Sequence, residues 1–156
     1  MPNIIDTYIN PGLALLPVDM GTKQARAFIA AIGLQESKFE YRKQIGGPAR
    51  GFWQFEKYGG IKGVLTHPSS KPLIIEVCKR LVVPADIDLC YGLVAYHDAL
   101  ACCFARLLLW TIPRPLPGKD DVEEAWNQYI MAWGPGKPRK ETWEGCYRSA
   151  WAMVEI

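Results

Sequence analysis

The stretch TKQARAFIAAIGLQESKF, Thr22 to Phe39, decides how this chain folds. Thr22 stands where a helix N-cap belongs, and Ala25, Phe28, Ile29 and Ile32 recur at spacings of three and four. That period predicts a helix over Thr22 to Gln35. Glu36 then follows Ile32 by four residues and Phe28 by eight, so it extends the apolar stripe instead of the polar face. It also stands at the helix C-terminus, where the macrodipole repels negative charge. Burial and dipole both disfavour the ionised form and are expected to raise its pKa, as a general acid working near neutral pH requires. The plain alternative is a Glu that caps a core hydrogen bond or reaches solvent past the stripe.

Outward from this helix, Pro and Gly divide the chain. Tyr41 to Gly63 reads as loop, with room for one small β-hairpin. Pro72 to Leu81 is a shorter helix, ended by Pro84. Asp86 to Trp110 reads as one long helix, with Leu89, Leu93, Tyr96, Leu100, Phe104 and Leu107 on one face. Pro113, Pro115 and Pro117 then force an extended connection. Asp120 to Trp133 opens with acidic residues, which suit a helix N-terminus, and stops at Gly134-Pro135-Gly136. The last helix, Arg139 to Val154, aligns Trp143, Tyr147, Trp151 and Val154. Residues 1–20 are expected to be an extended N-terminal segment. The expectation is an all-α fold in a single domain spanning residues 1–156.

Composition narrows the partners. The 156 residues carry 49% hydrophobic side chains and a net charge of +2, which excludes a disordered chain. Lys and Arg total 18 against 16 Asp and Glu. Lys137, Arg139 and Lys140 are offset by Asp120, Asp121, Glu123 and Glu124, so no basic stripe suited to nucleic acid forms. The five cysteines (Cys78, Cys90, Cys102, Cys103 and Cys146) are odd in number and lack a C-x-x-C pair, so reduced thiols are expected, with no metal site and no cofactor. His67 and His97 lack the context of a catalytic triad. The apolar run Ala99 to Ala105 is too short for a membrane span, and Met1 to Met20 has no basic n-region. Synthesis in the cytoplasm without an export signal is the resulting expectation. Of the six tryptophans, helical spacing assigns Trp110, Trp126, Trp133, Trp143 and Trp151 to packing and leaves Trp53 in the glycine loop.

That loop supplies the rest of a candidate site. Gly46, Gly47 and Gly51 let backbone approach a ligand, Gln54 offers an amide, and Phe52, Trp53, Phe55 and Tyr58 offer flat faces. A carboxylic acid beside aromatics and an amide suits cleavage of a glycosidic bond. A tight connection plugged by core aromatics is the bland alternative.

Glu36-Ser37-x-Phe39, followed after a short gap by Gly51-Phe52-Trp53-Gln54, resembles the E-S-x-F … G-L-M-Q signature of the lysozyme superfamily, especially soluble lytic transglycosylases and goose-type lysozymes. Gly47-Pro48-Ala49-Arg50-Gly51 and Trp133-Gly134-Pro135-Gly136-Lys137-Pro138 are similar to segments of lysozyme-like proteins of tailed bacteriophages. The resemblance implies a lysozyme-like fold and cleavage of the β-1,4 bond between N-acetylmuramic acid and N-acetylglucosamine in bacterial peptidoglycan. It implies Glu36 as catalytic acid and Ser37 and Gln54 as sugar contacts; Gly51, Phe52, Trp53 and Tyr58 are expected to line the groove from the loop's own composition. Tyr129 matches the substrate-facing Tyr of a third motif, here degraded: Asn127 precedes it and Gly134 is displaced.

Mechanism forks at Glu56, two residues after the motif's Gln. If Glu56 positions a water, the enzyme is an inverting hydrolase. If it points away, the muramic 6-hydroxyl attacks and a 1,6-anhydro end results. The rival readings are a non-catalytic peptidoglycan-binding or virion module and a chitinase or chitosanase. The chain is expected to be a monomer, and a phage setting implies that it reaches the periplasm through a membrane-permeabilising partner during host lysis or is carried in the particle.

Overall fold

The computed structural model describes residues 3–155; Met1, Pro2 and Ile156 lie outside the described residues. The N-terminal segment coils where extension was expected. Ile4, Ile5, Ile9, Leu13, Leu16 and Met20 are all buried, at spacings that wind into helix. A π-helical turn, Ile5–Ile9, runs into α1 (Asn10–Leu13), and a 3-10 turn, Val18–Met20, follows. Pro11 stands in the first turn of α1, where proline is tolerated because its missing N–H loses nothing.

The helix α2 (Lys23–Glu36) forms as its spacing predicts, and Thr22 Oγ1 accepts the Ala25 amide at 3.2 Å. It is buried on nearly every side, from Ala25 to Gln35. Next come a π-helical turn, Lys57–Ile61, continuing into α3 (Lys62–Thr66), and α4 (Lys71–Leu81). The anticipated hairpin reduces to two isolated antiparallel bridges, Lys43 with Arg50 and Arg50 with Phe55, and no strand forms among the described residues.

The anticipated long helix is two: α5 (Ile87–Leu93) and α6 (Asp98–Trp110), bent by 118°. The break is chemically built. His97 Nδ1 accepts the Leu100 amide at 3.1 Å, giving α6 its own N-cap. Asp98 in the first turn takes a bidentate pair from Arg42 at 2.6 and 2.9 Å, stabilising the dipole's positive end. Periodicity survives the bend, which is why apolar spacing alone did not expose it. Then α7 (Val122–Trp133) and α8 (Lys140–Val154) complete an all-α architecture.

Packing centres on α2 and α6. The aromatic face of α8 lies along α2, where Phe28 meets Trp143 and Tyr147 edge-on. The first helical segment crosses α6, with Cys102 and Cys103 thiols donating to the Ile9 and Gly12 carbonyls. Trp110, expected in the core, is 46% exposed at the end of α6. No single helix among the described residues is long and apolar enough to cross a membrane.

Candidate active site

The site begins where α2 ends. Ser37 is followed by two left-handed residues, Lys38 and Phe39, both at φ 56°. This conformation strains non-glycine residues and turns the chain back sharply. The turn folds the Phe39 ring over Gly33, where a Cβ would stand 2.2 Å from the ring. Only glycine fits there, so the helix terminus and its turn are locked together.

Ser37 serves this lock. Its hydroxyl is buried, donates to the Phe52 carbonyl at 2.6 Å and accepts the Phe39 amide at 3.1 Å. It therefore joins the two halves of the motif and does not face a ligand. Phe52 is buried under Arg42, and Trp53 is wholly buried, its Nε1–H donating to the Ile29 carbonyl at 2.9 Å. Gly51, at φ 76°, lies against the α5–α6 turn, where a Cβ would meet the Val94 carbonyl oxygen at 2.4 Å. Tyr58 is 73% exposed beside Lys57, away from the groove. Thus Ser37, Gly51, Phe52, Trp53 and Tyr58, anticipated as ligand contacts, are scaffold or lie elsewhere.

What the scaffold presents is a groove of about 700 Å³. Glu36, Gln54 and Glu56 all line it, as do Tyr41, Trp133 and Arg139. Gln54 is held at φ 53°, its amide donating to the Gly51 carbonyl at 2.9 Å. Glu56 is exposed on the same groove.

Glu36 is half-buried at the inner wall. Burial pushes its carboxyl above the ordinary value, against two opposing influences: the Tyr129 hydroxyl donating to Oε2 and the positive charge of Arg139. No cation lies within ion-pairing distance of Glu36 among the described residues. Tyr129 is buried on α7, and its own phenol is pushed well up by burial and by the Glu36 charge, so it remains a donor. It stacks on Trp143 at 5.1 Å, which fixes the ring.

A second wall of the groove was not anticipated as site. Gly134 to Arg139 reads as a helix stop followed by a basic stretch, yet it folds against the end of α2. Arg139 Nη2 donates to the Gln35 carbonyl at 2.7 Å, and Gln35 Nε2 donates back to the Arg139 carbonyl at 2.8 Å. Thr142 donates to Gln35 Oε1 at 2.8 Å. Trp133 Nε1 donates to the Trp53 carbonyl at 2.9 Å, closing the wall on the glycine loop. The only sequence signal for this wall was the Trp133 to Pro138 segment of the resemblance.

Among the described residues no cluster of three His, Cys, Asp or Glu side chains gathers to hold a metal ion. A half-buried acid with a fixed phenol donor, an exposed second carboxylate and an amide along one groove can protonate a leaving oxygen and place a water or hydroxyl for attack. No protein-family model, curated protein or solved structure matches this chain.

Proposed function

We propose that this chain is a muramidase-type glycosidase that cleaves the β-1,4 bond between N-acetylmuramic acid and N-acetylglucosamine, with Glu36 as general acid. The observation that carries this reading is the Glu36 carboxyl itself. It sits on the wall of an open groove, its pKa is raised by burial, and no ion pair neutralises it. A Glu36 held in a salt bridge and closed off from the groove would instead favour the non-catalytic reading.

Tyr129 positions the acid and Gln54 lies along the groove as a polar contact for an acetamido or hydroxyl group. Glu56 shares the groove and is exposed, which favours hydrolysis through a positioned water over transglycosylation. The cell-wall substrate rests on the motif resemblance, and the phage setting and the route to the periplasm rest on it too.

The test is a turbidity assay on outer-membrane-permeabilised Gram-negative cells beside a chitin-oligomer assay. Wild type is expected to clear the cells, and Glu36→Gln to lose at least about 100-fold in rate while keeping its circular dichroism spectrum. Near wild-type lysis by the variant overturns the assignment of Glu36. Binding to peptidoglycan without turnover selects the non-catalytic reading, and chitin cleavage alone selects a chitinase. Mass spectrometry of released muropeptides is expected to show reducing ends; anhydro ends remove Glu56 from the chemistry.

A further inference from the structure

The groove lies at the C-terminal end of α2; a second cleft lies at its N-terminal end. It encloses about 540 Å³, and its walls include Thr22, Arg106, Leu109, Trp110, Pro113 and Leu116. Arg106 sits within the most buried stretch of the molecule, α6, and is only 4% exposed. An arginine so buried is rare unless its charge is matched. Its Nε–H donates to the Met20 carbonyl at 2.9 Å, but Nη1 and Nη2 have no acceptor among the described residues. Nor do these amines count among the fully buried side-chain atoms without a partner, which are Gln128 Oε1 and Trp151 Nε1. The Nη end of the guanidinium therefore opens to the cleft.

Its surroundings define what it can take. With Nε engaged, the free edge is the Nη1–Nη2 fork, whose parallel donors match the two oxygens of a carboxylate. The guanidinium carbon lies 5.7 Å from the Trp110 ring centroid, so the fork and a flat aromatic face are neighbours. Thr22 and Gln24, at the first turn of the 14-residue α2, line the same cleft. First-turn amides have no intrahelical acceptor, and the dipole there favours an anion. Leu109, Pro113 and Leu116 supply an apolar wall.

Two charges modulate the fork. Arg114 lines the cleft but is held by Glu124 at 3.2 Å. Asp19, exposed on the rim, raises the Arg106 pKa through space without forming an ion pair, while burial lowers it to about 10, leaving the side chain cationic at neutral pH. Asp19 therefore competes with an incoming anion.

We propose that this cleft is a binding site for a small carboxylate with a flat apolar body, gripped by the Arg106 fork and stacked toward Trp110. The site is independent of the Glu36 groove and of any activity there.

The test uses the full chain labelled with 5-fluorotryptophan and followed by fluorine NMR. The Trp110 resonance is identified by its loss in Trp110→Phe. Benzoate is the probe and benzamide its neutral counterpart. Benzoate is expected to move the Trp110 resonance saturably, with benzamide at least about tenfold weaker, since it lacks the charge-assisted pair. Asp19→Asn, a rim substitution that does not touch the core, is expected to tighten benzoate several-fold, and Arg106→Gln to weaken it at least about tenfold. A Trp110 resonance unmoved by benzoate, an equal response to benzamide, or an Asp19→Asn affinity equal to wild type each overturns the proposal. If Arg106→Gln does not fold, the benzoate–benzamide comparison and Asp19→Asn decide it alone.

Discussion

Glu36 shows what a half-buried carboxyl costs the fold. Its carboxyl is pushed above the ordinary value of 4.5 by burial, only partly offset by Tyr129 and Arg139. In the window between the unfolded and the raised folded pKa, the native state holds more protons than the unfolded chain. Stability contributed by this group is therefore full below the window and falls as pH rises through it. Above the window the ionised, half-buried carboxylate opposes folding by a constant amount. Gln keeps the acceptor for Tyr129 without the charge. Glu36→Gln is thus expected to melt a few degrees above wild type near pH 8, with the gap closing near pH 4. Thermal melts by circular dichroism check this, and a variant melting below wild type at both pH values contradicts it. Trp53 makes the opposite point, because an aromatic singled out for sugar contact is wholly buried and bonded to the Ile29 carbonyl. Trp53→Phe is expected to lose about 1–3 kcal/mol in urea denaturation through the missing bond and volume. KM for glycan fragments is expected to stay unchanged; a raised KM at unaltered stability restores Trp53 to the groove.

At the scale of elements, the site is held by close approaches more than by regular structure. The glycine loop contains no strand among the described residues, yet Gly51 presses its α-carbon against the α5–α6 turn and Arg42 clamps the start of α6. Gly51→Ala would place a methyl 2.4 Å from the Val94 carbonyl oxygen in a left-handed conformation. The expected cost is at least about 2 kcal/mol, read from urea midpoints at constant m-value, with lytic activity falling as the groove loosens. A loss under half that size means that the loop does not rest on the turn. Such contacts also explain what was legible beforehand. The spans of α2, α4, α7 and α8 follow from apolar period and from Pro and Gly breakers, with a side-chain cap at α2 alone of the four, and these are local signals. Glu36 was legible because it puts a carboxylate on the extension of an apolar stripe, and Gln54 because it stands in a glycine-rich motif. The break at His97 was not, since the stripe continues across a bend whose cause is a cap and a distant Arg42. The Gly134–Arg139 wall was not either, because its bonds to Gln35 cross 104 residues of chain. Local pattern found these four helices but not the N-terminal coil, the helical turn Lys57–Ile61 or the break at His97, and which loop residues face a cavity depends on long-range bonds.

For the whole molecule, the N-terminal coil matters because it covers one side of α6. Gly12 sits so close that a Cβ would lie 2.6 Å from both the Ala99 carbonyl oxygen and the Cys102 Cβ. Its carbonyl and that of Ile9 accept the Cys103 and Cys102 thiols. Burial pushes the Cys103 thiol up to about 12 and Cys102 well above its ordinary value, so neither forms thiolate near neutral pH while the coil is seated. Cys146 alone among the five is only half-buried. In the native chain a thiol reagent such as Ellman's is therefore expected to modify Cys146 first, with the other four reacting only as the structure opens. Gly12→Val cannot be seated without moving the α6 backbone or the coil. It is expected to lift the coil and bring Cys102 and Cys103 into fast reaction, with mass spectrometry of labelled peptides identifying which thiols respond. Tyr8 of the same coil packs on Phe39 and Phe52, which hold the turn after Glu36, so lifting the coil is expected to lower any lysis as the thiols open. Cys102 and Cys103 remaining as slow as in wild type would mean that the coil does not protect α6. Residues 3–20 would then be an appendage, and the burial of α6 would have to rest on its contacts with α2, α3, α4, α7 and the Lys57–Ile61 turn.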